Sequence, residues 1–423
     1  MKHSDGRWLN WLPAFGTLPR RSRLTTLGMS AVSGLSPRAE PPVGVDIRGR
    51  IGTAAFAFRG YDVANQGRSL ELLEHPAYGP VVRGVLEEAS ALCAEATRTP
   101  VDLIAYARAG EKSSPASFAQ DVAMIVAMEM AQLRLLEQFF EVPTREAHLS
   151  FGYSIGELAA MLFSGVYAMD QLLPVPLGLA PDCAELAADT SLGVLFTRGP
   201  VLLPADVQRL CTAVSSEGKG LVGPSAYLSP NTALLLGRGR TMDRVEALMR
   251  EFLPDKVMLR RNPNHWPPLH TPLVWQRNIP NRAAMGLYQI EGGHRPPSPP
   301  VLSCITGAAS YDATNSRDLL IRWTDGPQLL WDVIYETLAA GVGLVVHVGP
   351  APNLVPATFA RLSNNVSKQL GQTYLHRLGR GVVAGLNRHS WLAPLLPSKA
   401  ALLRAPFLDH VILEDWLLAQ PLS

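Results

Sequence analysis

The residues Gly152-Tyr153-Ser154-Ile155-Gly156 carry the clearest chemistry in this chain. A serine between two glycines, after an apolar strand-like run at 147–151 and ahead of a small-residue helix containing Ala159 and Ala160, is the pattern of a nucleophile elbow. The glycines remove Cβ atoms where strand and helix approach. The hydroxyl can then stand exposed at the strand's C-terminal end, with the first amides of the helix facing any oxyanion formed there. A glycine-flanked helix N-cap would show the same five residues; the strand before and the helix after favour the nucleophile. Serine attacks poorly at neutral pH unless a base takes its proton. Of the ten histidines, His270 in the loop 264–273 is the best placed, with His265 a nearby rival and His148 read as a packed strand residue.

These side chains need a scaffold, and the hydrophobic periodicity predicts one. Residues 53–58 read as a short buried strand closed by Gly60, and 80–94 as a helix. In 117–140, Val122, Ile125, Val126, Met130, Leu133 and Leu136 recur at three and four positions, as a core-facing helix requires. Strand 147–151, a tight turn and a helix ended by Gly165 then signal an α/β sheet. From about 192 to 258 the order changes to strand 194–196, helix 205–214, strands 221–228 and 232–236, helix 242–252 and strand 256–259, a βαββαβ unit of the ferredoxin-like kind. The first pattern resumes with 300–305, a helix at 329–340 and a strand at 342–348. The expected fold class is therefore α/β. A hydrolase-like large domain with a parallel sheet and nucleophile elbow (51–190 and 263–375) carries an inserted ferredoxin-like small domain (191–262). Residues 1–50 read as a flexible basic arm. Residues 376–423 read as a C-terminal extension whose apolar stretch at 402–418 packs back on its own domain or docks a partner.

Composition narrows the function. Thirty-eight basic against 36 acidic side chains leave a net charge of +2, which gives no field able to select nucleic acid. With 47% apolar and 17% charged residues, 35 glycines and 35 prolines, the chain is neither a disordered polymer nor a coiled coil. No apolar run reaches the roughly 18 residues of a membrane span, and the N-terminal arm lacks the layout of a signal peptide, so a cytoplasmic location is expected. Cys93, Cys183, Cys211 and Cys304 are too scattered for a disulfide framework or a zinc module. The run Gly379–Ala384 fits a dinucleotide fingerprint without the βαβ unit or the acidic residue that would support it, and reads as a chance match. Asp325-Gly326 reads as a loop turn rather than as the acid of a Ser/Asp dyad.

Taken together and in order, Gly152-Tyr-Ser-Ile-Gly-Glu157, Leu269-His-Thr-Pro-Leu273 and Val348-Gly-Pro350 resemble the malonyl-CoA:acyl-carrier-protein acyltransferase family, polyketide synthase acyltransferase domains included. That family carries G-H-S-x-G-E, F-H-S-P-L-M and E-V-G-P-G. Phe58-Arg-Gly-Tyr-Asp62 resembles its F-P-G-Q-G loop and Ile305-Thr-Gly307 its late V-T-G strand end, so the likeness spans about 53–365. It implies a Ser154/His270 dyad that takes an acyl group from malonyl-CoA or an uncharged acyl-CoA. An acyl-serine would then pass the group to the phosphopantetheine thiol of an acyl carrier protein, in fatty-acid or polyketide synthesis. No cofactor is implied beyond these substrates, and a synthase subunit is a further candidate partner. A thioester hydrolase on the same fold and a non-catalytic scaffold are the alternatives. The resemblance also implies an oxyanion hole from the backbone of Tyr61 and Ile155, a histidine oriented by the carbonyl of Ala340, and an acyl pocket including Tyr153, Leu179, Gln120 and Leu228.

Four departures matter. Tyr153 stands for the usual histidine, Tyr61 for glutamine and Leu228 for asparagine. Leu179, 25 residues after the serine, occupies the place of the arginine that pairs with a malonyl carboxylate. A leucine cannot neutralise that charge, and leaving it unpaired in a partly buried pocket costs at least a few kcal/mol. An uncharged acyl chain is expected instead, unless the register slips across 174–178 and Arg198 reaches the site. Arg238, Arg240, Arg244, Arg250, Lys256, Arg260 and Arg261 cluster in the inserted unit. They read either as a landing surface for CoA phosphates and an acidic carrier helix, or as a solvated face balanced by Glu246, Glu251 and Asp255.

Overall fold

Strands β1 (Ala54–Phe58) and β2 (Leu149–Gly152) are buried along their whole length, as strands covered on both faces must be. β3 (Thr190–Phe196), β4 (Val222–Ser229), β5 (Thr232–Arg238) and β6 (Met258–His265) follow. β7 (Val301–Leu302), β8 (Leu344–Val348) and β9 (Asp409–Ile412) then return to the first sheet. The computed structural model describes residues 44–369 in full, the backbone of 370–378, residues 392 and 395, and 399–421. Residues 1–43 of the expected arm and the 379–384 fingerprint lie outside the described residues.

The first sheet runs β7-β2-β1-β8-β9 with every neighbouring pair parallel. Phe58 pairs with Gly152 on one side and Val348 on the other, so three strands end at one edge, where parallel sheets present their ligand sites. The loops carrying Tyr61, Ser154 and Gly349 leave from that edge. On one face, Phe56 and Phe58 pack with the helices Gly79–Thr97, Phe118–Phe140 and Ile155–Phe163. On the other, Ala55, Ala57 and Val345 share a core with the helix Leu330–Ala339 and with Leu192, Leu234 and Leu236 of the second sheet.

That second sheet runs β4-β5-β3-β6 and is antiparallel throughout. The helices Pro204–Ser215 and Thr241–Phe252 bury Val207, Leu210 and Val245 against Leu195, Ala233 and Leu235. The strand face left over, Leu192 with Leu234 and Leu236, is the one turned to the first sheet. A cleft forms where one sheet overlies the C-terminal edge of the other.

One expected strand is shorter than read, and two other stretches are shaped by tertiary packing. The helix Pro174–Ala187 forms despite Pro181 inside it, because Leu177, Leu179, Ala180 and Cys183 are buried along one stripe and tertiary packing outweighs propensity. The expected strand 300–305 shrinks to Val301–Leu302 at the sheet margin. The C-terminal stretch packs back: β9 pairs with β8, while Trp416 and Leu417 are buried and Tyr78 Oη donates to Leu417 O at 3.0 Å. No described helix is long and apolar enough to cross a membrane.

Candidate active site

At the end of β2 the backbone reverses through Ser154, at φ 55° and ψ −122°, straight into the helix Ile155–Phe163. A non-glycine residue held there stores roughly 1–3 kcal/mol of strain. Its two flanking glycines are demanded by the packing. A Cβ on Gly152 would lie 2.0 Å from the Gly156 carbonyl, and one on Gly156 would lie 2.4 Å from Arg59 O. Glu157 anchors the start of the helix from inside the core. Tyr311 Oη donates to its Oε1 at 2.8 Å and the Cys304 amide to its Oε2 at 3.1 Å, while burial pushes the carboxyl up to about 7.

Ser154 Oγ lies 2.7 Å from His270 Nε2, and His270 Nδ1 lies 2.7 Å from the carbonyl oxygen of Trp323. A carbonyl only accepts, so Nδ1 carries the proton and the lone pair of Nε2 faces the hydroxyl. The end of the helix Ser316–Asp325 holds both partners in place. Thr324 O accepts the His270 amide at 2.7 Å, and Trp323 Nε1 donates to Ser154 O at 2.9 Å. Burial drives the His270 pKa down to about 4, leaving the imidazole neutral at pH 7. Gln328 ties the serine to the second sheet. Its Oε1 accepts from the Ser154 amide at 3.2 Å, and its backbone bonds to Ser225 and Tyr227 of β4.

Both groups open onto a cleft lined by Phe118, Val122, Leu192, Leu236, Trp266 and other apolar side chains. Tyr61, Tyr153, Ile155 and Leu179 are on its wall. Ile155 is the first residue of its helix, so its amide has no intrahelical acceptor and is free to meet an oxyanion. Among the described lining residues the lone arginine or lysine is Arg59. Four of its five N–H donors go to Gly60 O at 2.8 Å, Ala64 O at 3.2 Å, Asn65 Oδ1 at 2.7 Å and Pro350 O. Cys183 also touches the cleft, but burial pushes its thiol up to about 12 and it stays protonated.

At the level of sequence, no family model and no curated protein matches the chain. Solved structures do match it. FabD from Acinetobacter baumannii is 20% identical, with 72% of this chain and 89% of that one covered at a TM-score of 0.58. An acyl carrier protein S-malonyltransferase from Vibrio cholerae gives 20%, 72%, 92% and 0.58. A type II polyketide synthase acyl-carrier protein in complex with its malonyl-transacylase gives 21%, 72%, 91% and 0.55. The chain has the malonyl-transacylase fold.

On this malonyl-transacylase fold, three expected site residues fall elsewhere. The carbonyl of Ala340 takes His148 Nε2 at 3.0 Å, not His270; Trp323 supplies the orienting carbonyl instead. Gln120 is not on the cleft wall, because Phe118 and Val122, four residues apart, present one side of their helix and the position between them points away. Leu228 lies near the β4–β5 turn and lines a separate cavity with Trp331 and Arg361. Arg198 is exposed and His265 ends β6 at the surface, so neither joins the site. Most of the basic cluster is neutralised locally, through Arg238–Asp189, Arg240–Asp243, Arg244–Glu217 and Arg261 with Asp243 and Glu246. Trp323 and Gln328 were missed by sequence reasoning. A main-chain acceptor leaves no side-chain signature, and Gln328 is anonymous until β4 is placed beside it.

Proposed function

We propose that this protein is an acyltransferase. It moves an uncharged acyl group from acyl-CoA to the phosphopantetheine thiol of an acyl carrier protein by way of an ester on Ser154. The observation that carries this reading is the 2.7 Å approach of Ser154 Oγ to His270 Nε2, with Nδ1 held on Trp323 O. The strained serine between β2 and its helix is read as a nucleophile elbow, and the β3–β6 unit as a ferredoxin-like cover over the cleft.

In the first half-reaction His270 Nε2 takes the hydroxyl proton as Oγ attacks the thioester carbonyl. The oxyanion is received by the amides of Ile155 and Tyr61; the C–S bond then breaks, and the imidazolium returns its proton to the departing CoA sulfur. In the second half the carrier thiol gives its proton to Nε2 and attacks the serine ester, and as the C–Oγ bond breaks Nε2 returns that proton to Oγ, which restores Ser154 and the neutral imidazole. The apolar wall, with Leu179 in place of a cation and Arg59 already bonded, supports an acyl group without a carboxylate. Intact-mass measurement after separate incubation with malonyl-CoA, acetyl-CoA and hexanoyl-CoA tests this. An adduct with the uncharged substrates that disappears in Ser154→Ala and moves to added carrier protein is expected. No adduct and an unmodified carrier would overturn it.

A further inference from the structure

A second, smaller cavity lies between the β4–β5 turn and the helix Leu354–Leu378, away from Ser154 and His270. Among the described residues its wall holds one cation, Arg361, with Thr232 and Asn365 adding a hydroxyl and a carboxamide and Leu228, Trp331 and Leu362 forming an apolar side. The other polar residues on it are already engaged. Ser229 donates to Asn231 Oδ1 at 2.7 Å, Asn231 Nδ2 to Thr197 O at 2.5 Å and Thr358 to Leu354 O at 2.7 Å.

Arg361 is the anomaly. Its Nε donates to Ala357 O at 3.1 Å, but its Nη2 is buried and finds no acceptor. No acid lines the cavity among the described residues, and the pKa of the guanidinium is lowered to about 10 by burial, with no carboxylate opposing the shift. The segment 379–398 that follows contains neither Asp nor Glu, so the next stretch of chain supplies no counter-charge either. Buried guanidinium groups are ordinarily paired, because leaving one alone forfeits its hydration without return.

We propose that this cavity binds a small organic carboxylate, its two oxygens on the Arg361 guanidinium and its carbon stem against Trp331, Leu228 and Leu362. A single guanidinium with two neutral neighbours matches one negative charge in the planar, two-oxygen form that arginine pairs with best. The apolar side excludes a bare inorganic ion as the best fit. This site is independent of the acyl-transfer reading.

Thermal unfolding of the full chain with hexanoate, hexanol and inorganic phosphate as separate probes tests the proposal. Hexanoate raises the wild-type midpoint by a few degrees in a concentration-dependent way, as any ligand of the folded state does, and the other two do not. Arg361→Met is at least as stable as wild type without ligand and loses the response, whereas Ser154→Ala keeps it, which separates this cavity from the catalytic cleft. Should Arg361→Met fail to fold, Arg361→Lys retains the charge without the fork and gives a response clearly weaker than wild type. A hexanoate response unchanged in the Arg361 variants, an equal response to hexanol or phosphate, or no wild-type response to hexanoate would each overturn the proposal.

Discussion

Leu179→Arg is the sharpest probe of what the cleft accepts. Leu179 is 6% exposed on the cleft wall, and Asp62, an acid, sits on the same wall. A malonyl carboxylate placed there loses water and meets no uncommitted cation among the described lining residues, since four of the five Arg59 donors already go to Gly60, Ala64, Pro350 and Asn65. Unpaired burial of an ion costs several kcal/mol even after relaxation. With about 3 kcal/mol as a floor, and about 1.4 kcal/mol per tenfold, wild type should acylate from malonyl-CoA at least about 100-fold less efficiently than from butyryl-CoA. Arginine at 179 restores a charge-assisted pair worth about 1.5–3 kcal/mol. Malonyl transfer then rises by about 10- to 100-fold, and butyryl transfer falls because the new charge is left unpaired. Single-turnover acylation followed by intact mass, with a thermal melt to confirm folding, reads both substrates. Wild type that accepts malonyl within about threefold of butyryl would refute the reasoning from the missing cation.

Three further outcomes follow from the same geometry. Because burial holds His270 near 4, single-turnover acylation should climb through about pH 4 and be flat by pH 6, whereas an exposed imidazole would titrate the rate near 6.5. Glu157 is held near 7 in the fold against about 4.3 unfolded, so its contribution is complete below about pH 4.3 and lost as pH rises through about 7. Glu414, also raised to about 7, acts in the same direction. In urea unfolding at pH 5 and pH 8, the stability of Glu157→Gln relative to wild type should therefore rise with pH by on the order of 3 kcal/mol. In Gly156→Ala the added methyl lands 2.4 Å from Arg59 O and 2.5 Å from Phe58 O, both rigid backbone, so a melt should show a loss of several kcal/mol and the serine should take up no acyl group.

What the sequence disclosed follows what side chains and sterics can encode. Gly152, Ser154 and Gly156 were legible because each is the residue type that its backbone conformation or close approach demands. His270 was legible because a base must be a side chain. Its orienting acceptor was not, since any residue offers a carbonyl; Ala340 rested on the register of the family resemblance alone, and the carbonyl that meets His270 belongs to Trp323. β4, β5 and the helix Thr241–Phe252 were read to within two residues at each end, because turns and apolar runs alternate there, whereas β6 starts two residues later than the expected 256–259 and runs on to His265 through polar residues that carry no strand signal. Gln120 was assigned to the cleft without regard to helical phase, which Phe118 and Val122 fix. The four-residue β9, with Asp409 and His410 among its members, is too short and too polar to announce itself as a sheet strand.

β9 also orders the folding of the molecule in time. Its pairing of Leu344 with Asp409 means that the flank of β8 is covered by residues synthesised some sixty-five positions later. Until they emerge, a nascent chain displays an unpaired parallel strand rich in valine, the kind of surface that recruits other strands and seeds aggregates. A version ending before Asp409 would carry that exposed flank permanently and would also lose Leu413, Trp416 and Leu417 from the core, so solubility and stability should fall together.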